Sequence, residues 1–283
     1  MRYLLLFIWL WFTAIGTASD EDITHCGPTN TALFAQLGEE LAFRNQHEIP
    51  FPLDFQVNHG EWVDIPVEGE QPARAFWVKP EVASTKYLLV FHEWWGLNDY
   101  VLQESERLFE GLGEKVNVLA LDLYDGKVAT KREEAAKFMK EAPESRIMAI
   151  LSGAKAFAGE GATFGTIGWC YGGGWSLRAT LAMGDAAEAC VLYYGMPVTE
   201  VEELKKLEAP VLGIFAREDK WINAEVVKQF ESNMEDAGKE LTVSNYEADH
   251  AFANPSSPRY TAVAAQDANK KSLAFLKQHF VYR

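Results

Sequence analysis

The sequence has few cysteines and little positive charge. Its three cysteines are too few for a disulfide framework, and 26 Lys and Arg stand against 41 Asp and Glu, which gives a formal charge of −15. A surface this acidic argues against nucleic acid or an anionic membrane as a partner. No C-x-x-C pair occurs either, so a thiol-based redox role lacks its resolving cysteine. A chain of 283 residues can bury a full core without disulfides or a structural metal.

Beyond its first 18 residues, the sequence has no apolar run long enough to span a membrane. Those first residues combine a positive start at Arg2, an apolar stretch over 3–15 and small residues at 16–18, which is typical of a secretory signal peptide. We therefore expect residues 1–18 to be removed on export to a periplasmic or extracellular space, leaving Ser19 as the new N-terminus. An uncleaved N-terminal anchor is the alternative.

The cysteine count is odd, so an exported protein keeps at least one thiol unpaired or bonded to another molecule. If one disulfide forms within the chain, a Cys26–Cys190 pair would leave Cys170 free. Alternatively, Cys190 stays a buried, inert thiol, since it lies in the apolar segment ACVLYYG. The sequence leaves both states open.

The chain divides into a polar extension over residues 19–60, with one helix-like stretch at 31–46, and a main domain over 61–283. The main domain starts with a predicted hairpin, and then short apolar runs alternate with helical patterns. The runs lie at 86–93, 116–123, 163–170, 189–195 and 210–217, and the helical patterns at 101–112, 131–140, 145–157, 173–183, 224–237 and 260–279. This alternation predicts one α/β domain, a doubly wound and mainly parallel sheet with helices on both faces.

The segment GWCYG, residues 168–172, has the pattern of a nucleophile elbow with Cys170 at its apex. The glycines on either side allow the strand and the following helix to approach closely. We expect the N-terminus of that helix to lower the pKa of the thiol. A structural cysteine in a glycine-rich turn is the alternative.

Asp219, in FAREDKWI, and His250, in EADHAF, each follow a later predicted strand. Nucleophile, acid and histidine in this order are typical of α/β-hydrolases. His250 would then accept and return protons while Asp219 orients its ring. Glu218 and Asp249 are rival carboxylates. Four of the six histidines have sequence contexts that indicate no catalytic role, namely His25, His47, His59 and His279, which leaves His92 and His250.

The segment FHEWWG, residues 91–96, follows the first long apolar run. Glu93 would lie near the elbow, and a carboxylate beside a thiol disfavours a resting thiolate; a loop-capping glutamate is the alternative. The backbone N–H groups of Trp94 and Tyr171 could form an oxyanion hole. Four tryptophans lie in or next to these loops, and we expect at least two to be packing residues and the others to line an apolar pocket: Trp94, Trp95, Trp169 and Trp221.

Seven segments, in order, resemble the dienelactone hydrolase family over about residues 63–280: HEWWGLNDY, LALDLYDGK, KREEAAKFM, GTIGWCYGGG, VLYYGMP, AREDKWI and DHAFANP. The resemblance implies an α/β-hydrolase fold and hydrolysis of an ester or lactone through an acyl-cysteine. It implies a triad of Cys170, Asp219 and His250, and a Glu93 that contacts the resting thiol and helps to deprotonate it when substrate binds. No metal or organic cofactor is expected.

The substrate-binding residues depart from the family pattern. Arg132 falls on an arginine that binds the substrate carboxylate, but the second such arginine is replaced by Asn254. Ala251 stands in place of a serine, and Ala136 in place of an aromatic residue. Since a two-arginine clamp is a large part of recognising a small anion, these departures argue against dienelactone itself as the substrate.

The sequence thus predicts an exported, monomeric cysteine hydrolase of small esters or lactones. Arg132, Trp95, Trp169 and Asn254 are its candidate substrate-binding residues. Two alternatives remain on the same scaffold: a carbohydrate or aryl ester deacylase, and a ligand-binding homologue without catalysis.

Overall fold

The computed structural model describes residues 28–282. The predicted signal peptide and Cys26 therefore lie outside the described residues. Eight strands form one sheet: β1 (Gly60–Ile65), β2 (Ala73–Val78), β3 (Lys86–Phe91), β4 (Asn117–Leu121), β5 (Thr163–Trp169), β6 (Ala187–Tyr193), β7 (Val211–Ala216) and β8 (Leu241–Tyr246). Every residue of β4 and β7 is buried, as expected for strands that are covered on both faces.

The strands follow the order β1-β2-β4-β3-β5-β6-β7-β8. The predicted hairpin is present, since β1 and β2 pair antiparallel, and β2 pairs antiparallel with β4. Strands β3 to β8 all run parallel to one another. The predicted fold class, an α/β-hydrolase with a mainly parallel sheet, is confirmed.

Helices cover the sheet: α1 (Asn30–Leu37), α2 (Leu41–Gln46), α3 (Asp99–Gly111), α4 (Arg132–Glu141), α5 (Glu144–Ala158), α6 (Tyr171–Met183), α7 (Val201–Leu204), α8 (Ala224–Asp236) and α9 (Ala262–Leu276). A 3-10 turn at Gly184–Ala186 and a π-helical turn at Lys277–Val281 complete them. All six predicted helical patterns are helices, with ends shifted by a few residues. Helix α3, for example, begins earlier than predicted, because the Asn98 side chain caps it by accepting the Val101 N–H.

Strand register brings the loops after the strands together. Phe91 pairs with Gly168, so the segment carrying Glu93 leaves the sheet beside the elbow. At the far side, Ala216 pairs with Tyr246, so the loops after β7 and β8 also run side by side. The site therefore gathers at the carboxyl edge of the parallel strands.

The N-terminal strap, residues 28–47, packs across this edge against α4 and α6. The single helix-like stretch predicted at 31–46 is in fact two helices, which separate at 38–40. Phe34 and Phe43 are buried, and the Asn30 side chain donates to the Met196 carbonyl at 2.7 Å. Among the helices that the structure describes, none is long and apolar enough to cross a membrane.

Candidate active site

Cys170 lies at a sharp turn between β5 and α6, with φ 58° and ψ −120°. This is the strained backbone that exposes a nucleophile at an elbow. The flanking glycines are required by close backbone contacts. A Cβ on Gly168 would lie 2.1 Å from the Gly172 carbonyl oxygen, and a Cβ on Gly172 would lie 2.3 Å from the Phe91 carbonyl oxygen. The sequence pattern at this turn thus corresponds to the backbone geometry of an elbow.

Asp219 and His250 form a buried pair beside the thiol. The His250 Nδ1 lies 2.6 Å from Asp219 Oδ2, and both side chains are fully buried. The other Asp219 oxygen accepts the backbone N–H groups of Trp221 and Ile222, at 2.9 and 3.0 Å. A ring nitrogen of His250 lies within 4.8 Å of Cys170 Sγ. Since Asp219 holds Nδ1, the nitrogen available to the thiol is Nε2.

The rival carboxylates do not reach the His250 ring. Glu218 is exposed. Asp249 accepts the backbone N–H of His250 at 2.7 Å, but not a ring nitrogen. His92, the other candidate histidine, accepts the Leu123 N–H at Nε2 and donates from Nδ1 to the Glu93 carbonyl, at 3.1 and 2.6 Å. His92 therefore stabilises the loop after β3 through both of its ring nitrogens.

Burial and charge set the protonation of the pair. Burial acts to lower the pKa of His250, but the Asp219 carboxylate outweighs it and holds that pKa well above its ordinary value. Burial acts to raise the pKa of Asp219, and the charge of His250 outweighs it, so that pKa is lowered. The carboxylate therefore favours the charged form of the histidine and fixes the orientation of its ring.

The surroundings of the Cys170 thiol favour its neutral form. Burial raises the pKa of Cys170, and the Glu93 charge adds to this, while His250 and the Tyr171 N–H act to lower it. The prediction that the helix N-terminus would lower this pKa is wrong in its net direction. The Tyr171 N–H does act as expected, but a thiol that is 1% exposed loses more from desolvation than it gains from the helix.

Glu93 follows β3 and is 9% exposed. Its carboxylate accepts a hydrogen bond from the Asn254 amide and one from the Tyr194 hydroxyl at 3.5 Å. Burial raises the pKa of Glu93 to about 7, against the charge of His250 and the hydrogen bond from Asn254. A carboxylate with a pKa near neutrality is suited to accept and return a proton.

A cleft of about 570 Å³, including its open mouth, adjoins Glu93. Trp169 and Asn254, two of the predicted substrate-binding residues, line it together with residues of α3. Trp95 does not line it, because its ring is buried 4.9 Å from that of Trp94. Trp94 is itself fully buried, and Tyr171 is the first residue of α6. The oxyanion hole assigned to their backbone N–H groups stays a prediction.

Arg132, the fourth predicted substrate-binding residue, contacts the strap. Its Nε donates to the His47 carbonyl oxygen at 2.5 Å. The guanidinium expected to bind a substrate carboxylate is therefore engaged by the chain itself.

His47 was not expected near the site, and this expectation is wrong. Its ring lies 5.2 Å from that of His250, and one of its nitrogens lies within 4.8 Å of both Cys170 Sγ and a nitrogen of His250. Phe34 and Phe43 of the strap also pack near His250, with their ring centroids 6.3 and 6.4 Å from that of His250. No motif or spacing marks these residues in the sequence, since the strap is loosely patterned.

Cys190 lies in β6 and is fully buried, with its Sγ 3.7 Å from Ser176 Oγ. It has the surroundings of an inert core thiol. Its pairing with Cys26 lies outside the described residues.

Comparison with known proteins identifies the family. The model of the dienelactone hydrolase family matches residues 73–280. Protein usf of Aquifex pyrophilus is 28% identical over 216 residues, 71% of this chain and 94% of that protein. The carboxymethylenebutenolidase of Pseudomonas sp. strain P51 is 31% identical over 113 residues, 40% of this chain and 46% of that protein.

The fold is also found among solved structures. The dienelactone hydrolase of Anabaena variabilis ATCC 29413 superposes with a TM-score of 0.56 at 18% identity, over 78% of this chain and 98% of that one. The family match spans both the elbow and the Asp219–His250 pair. The chain therefore belongs to the dienelactone hydrolase family and is a hydrolase of that type.

Proposed function

We propose that this enzyme hydrolyses small neutral esters or lactones through an acyl-cysteine on Cys170. One observation carries the proposal: a buried carboxylate–histidine pair faces a thiol on a strained elbow, with the Asp219–His250 contact at 2.6 Å. An acid that fixes a histidine, next to a nucleophile within reach of that histidine, is the arrangement of nucleophilic acyl transfer.

The first half-reaction begins from a neutral thiol, an ionised Glu93 and a protonated His250. Glu93 accepts the thiol proton, and the thiolate attacks the substrate carbonyl carbon. The oxyanion that forms accepts hydrogen bonds from the backbone N–H groups of Tyr171 and Trp94. His250 donates its Nε2 proton to the leaving alkoxide, so the alcohol departs and the acyl group stays on sulfur.

The second half-reaction returns every proton. Neutral His250 accepts a proton from water at Nε2, and the hydroxide formed attacks the thioester carbonyl. The tetrahedral intermediate collapses with release of the acid, and the departing thiolate recovers its proton from Glu93. The sum is one ester and one water converted to one acid and one alcohol, or one lactone and one water converted to one hydroxy acid, with the enzyme unchanged.

The cleft beside Glu93 supports a neutral substrate. Among its lining residues are two carboxylates, Glu93 and Glu104, and neither lysine nor arginine. Glu104 is paired with Arg107, which leaves the wall close to neutral or negative. Arg132 donates its Nε to the strap and is not among these lining residues, so the described cleft has no lysine or arginine in its lining for a substrate carboxylate.

Hydrolysis of p-nitrophenyl acetate and of a panel of neutral lactones, aryl esters and acetylated sugars tests the proposal. We expect Cys170→Ala to abolish turnover of every substrate that the native enzyme cleaves. Cys190→Ala is the matched control, because it removes the other buried thiol and should keep the activity. Turnover by Cys170→Ala at the native rate would contradict an acyl-cysteine, and the panel separates a sugar or aryl ester deacylase from a lactonase.

We further propose that the enzyme acts after export, because residues 1–18 have the pattern of a secretory signal peptide. Expression of the full chain with its leader, followed by N-terminal sequencing of the exported protein, should give a mature form that starts at Ser19. Retention of Met1 on the exported protein would contradict cleavage.

A further inference from the structure

Three metal-ligating side chains meet at the nucleophile. Within residues 28–282, His47, Cys170 and His250 each present a ligand atom, and the three atoms all lie within 4.8 Å of one another. All three side chains are buried. Catalysis accounts for two of these residues, and His47 reaches the site from the strap.

Both histidines have one nitrogen engaged and one without a partner. The Nδ1 of His47 lies 2.8 Å from the Phe43 carbonyl oxygen, and the Nδ1 of His250 lies 2.6 Å from Asp219. The Nε2 atoms of both rings are buried and have no hydrogen-bond partner among the described residues. The Nε2 of His250 faces the thiol in the proposed triad, whereas catalysis gives the buried Nε2 of His47 no role. A buried polar group without a hydrogen bond is destabilising, and one beside a thiol and a second imidazole indicates a ligand that all three share.

We propose that His47, Cys170 and His250 bind a Zn²⁺ ion, which fastens the strap over the nucleophile. A thiolate and two imidazoles are the donors that zinc prefers, with the fourth position left to a water. Each histidine also has the outer partner typical of zinc ligands, a carboxylate for His250 and a backbone carbonyl for His47. Magnesium and calcium prefer oxygen ligands, and the three side chains of this cluster provide none.

The distances between the three ligand atoms are close to those of a zinc site with three protein ligands. Zinc–nitrogen and zinc–sulfur bonds of about 2.0 and 2.3 Å at tetrahedral angles separate the ligand atoms by roughly 3.3 to 3.5 Å. Each pair in the cluster, now within 4.8 Å, therefore has to approach by at most about 1.5 Å. Binding forms one Zn–S and two Zn–N bonds, and the protons of the thiol and of the His250 Nε2 pass to the buffer.

Zinc in this position would stop hydrolysis, an effect that rests on the proposed function. The metal would occupy the sulfur lone pair that attacks the substrate and the Nε2 that transfers protons. It would also link the strap to the elbow and to the loop after β8. The site is thus a reversible inhibitory one, and zinc is not a cofactor of the reaction.

A spectroscopic titration tests binding without reference to activity. Chelator-treated enzyme is titrated with Co²⁺, which reports a cobalt–thiolate bond by a charge-transfer band in the near ultraviolet, and with Zn²⁺ by calorimetry. We expect one metal per chain and a cobalt–thiolate band that Cys170→Ser abolishes. His47→Ala, and His47→Gln as a variant that keeps the side-chain volume, should weaken binding at least about tenfold.

His59→Ala is the matched control, because His59 is an exposed histidine whose partner is Glu110, and its metal affinity should equal that of the native chain. Absence of the cobalt–thiolate band, or equal affinity in the native chain and both His47 variants, would overturn the proposal.

A second arm measures p-nitrophenyl acetate turnover with and without Zn²⁺, each variant against its own metal-free rate. Inhibition should be reversed by a chelator, and the zinc concentration for half-inhibition should rise at least about tenfold in the His47 variants. Full turnover with one zinc bound would overturn the inhibitory role. An enzyme that binds cobalt through Cys170 but cleaves no ester would contradict the proposed function and leave the metal site supported.

Discussion

Arg132 donates a hydrogen bond from Nε to the His47 carbonyl oxygen, at 2.5 Å. This contact ties the end of the strap to the start of α4, beside the elbow. On the strap side, His47 packs against Trp94 at 4.6 Å, and Phe43 packs against Trp221 at 5.0 Å. A substrate that reaches Cys170 from this side must therefore displace the strap.

Phe43→Ala should speed alkylation of Cys170 by iodoacetamide. The Phe43 ring is fully buried, and a large-to-small change at such a position costs about 3–5 kcal/mol. Part of the lost free energy stabilises the closed position of the strap over Cys170. The strap should therefore open more often, and we expect the alkylation rate to rise about tenfold or more. Peptide mass mapping would assign the label to Cys170 and not to the buried Cys190.

Leu41→Ala is the matched control for Phe43→Ala. Leu41 lies in the same helix but is 63% exposed, so its removal should leave the alkylation rate near that of the native chain. If both variants react at the native rate, the strap does not limit access to the thiol.

Asp219→Asn should lower kcat about 10³- to 10⁴-fold, the effect of losing the carboxylate that fixes the histidine tautomer. The fold should be kept, because the asparagine carbonyl can still accept the Trp221 and Ile222 N–H groups. Steady-state hydrolysis of p-nitrophenyl acetate, with circular dichroism for the fold, measures this. Glu218→Gln is the control, since Glu218 is exposed and should not change kcat; a comparable loss in both variants would place the acid elsewhere.

Glu93→Gln should make the enzyme more stable at neutral and alkaline pH. In the native chain, burial raises the pKa of Glu93 from 4.5 to about 7, so the folded state binds a proton more tightly than the unfolded state does. Native stability is therefore full below about pH 4.5 and falls as pH rises through about 7, by up to about 3 kcal/mol. Glutamine carries no such charge and avoids that loss.

Urea unfolding of the native chain and of Glu93→Gln, from about pH 5 to pH 8, measures this difference. The free energy of unfolding of the variant should exceed that of the native chain by an amount that grows with pH, while its hydrolytic activity falls. A difference that stays constant with pH would mean that Glu93 titrates near its ordinary value.

The sheet and the elbow could be predicted because their signals are local. Strands β4 and β7 are apolar at nearly every position, which reflects burial on both faces. The elbow is a short pattern with a glycine two residues before and two residues after Cys170, although the Gly172 contact that requires a glycine is with Phe91 of the neighbouring strand. Asp219 and His250 could also be predicted, because each lies in the loop directly after a strand of the parallel sheet.

The strap could not be predicted, because its position depends on contacts distant in sequence. His47 lies at the end of a short helix in a polar segment. The packing of Phe43 against Trp94 and Trp221, together with the Arg132 hydrogen bond, brings it to Cys170. The direction of the thiol pKa was missed for the same reason. The helix N-terminus is visible in the sequence, whereas the burial that outweighs it arises only in the folded chain.

The charge of the cleft should make the enzyme prefer neutral esters to anionic ones of the same size. p-Nitrophenyl butyrate and p-nitrophenyl hemisuccinate have similar acyl chains, but only the second carries a carboxylate. Because the lining includes Glu93 and Glu104 without a lysine or arginine, we expect kcat/KM to favour the butyrate about tenfold or more at low salt. Added salt should reduce the ratio of the two kcat/KM values, because it screens the repulsion between the carboxylates of the cleft and the carboxylate of the substrate.

The Arg132→Gln variant tests whether the charge of the cleft alone sets the ester preference, or whether Arg132 is released from the strap to bind the substrate. If Arg132 stays with the His47 carbonyl during turnover, its removal should change kcat/KM for both esters by the same factor, through a looser strap. If strap opening frees the guanidinium to bind the substrate, the variant should lose activity on the hemisuccinate alone. A native preference for the hemisuccinate that Arg132→Gln abolishes would therefore contradict the neutral cleft and return this arginine to the role that its family position implies.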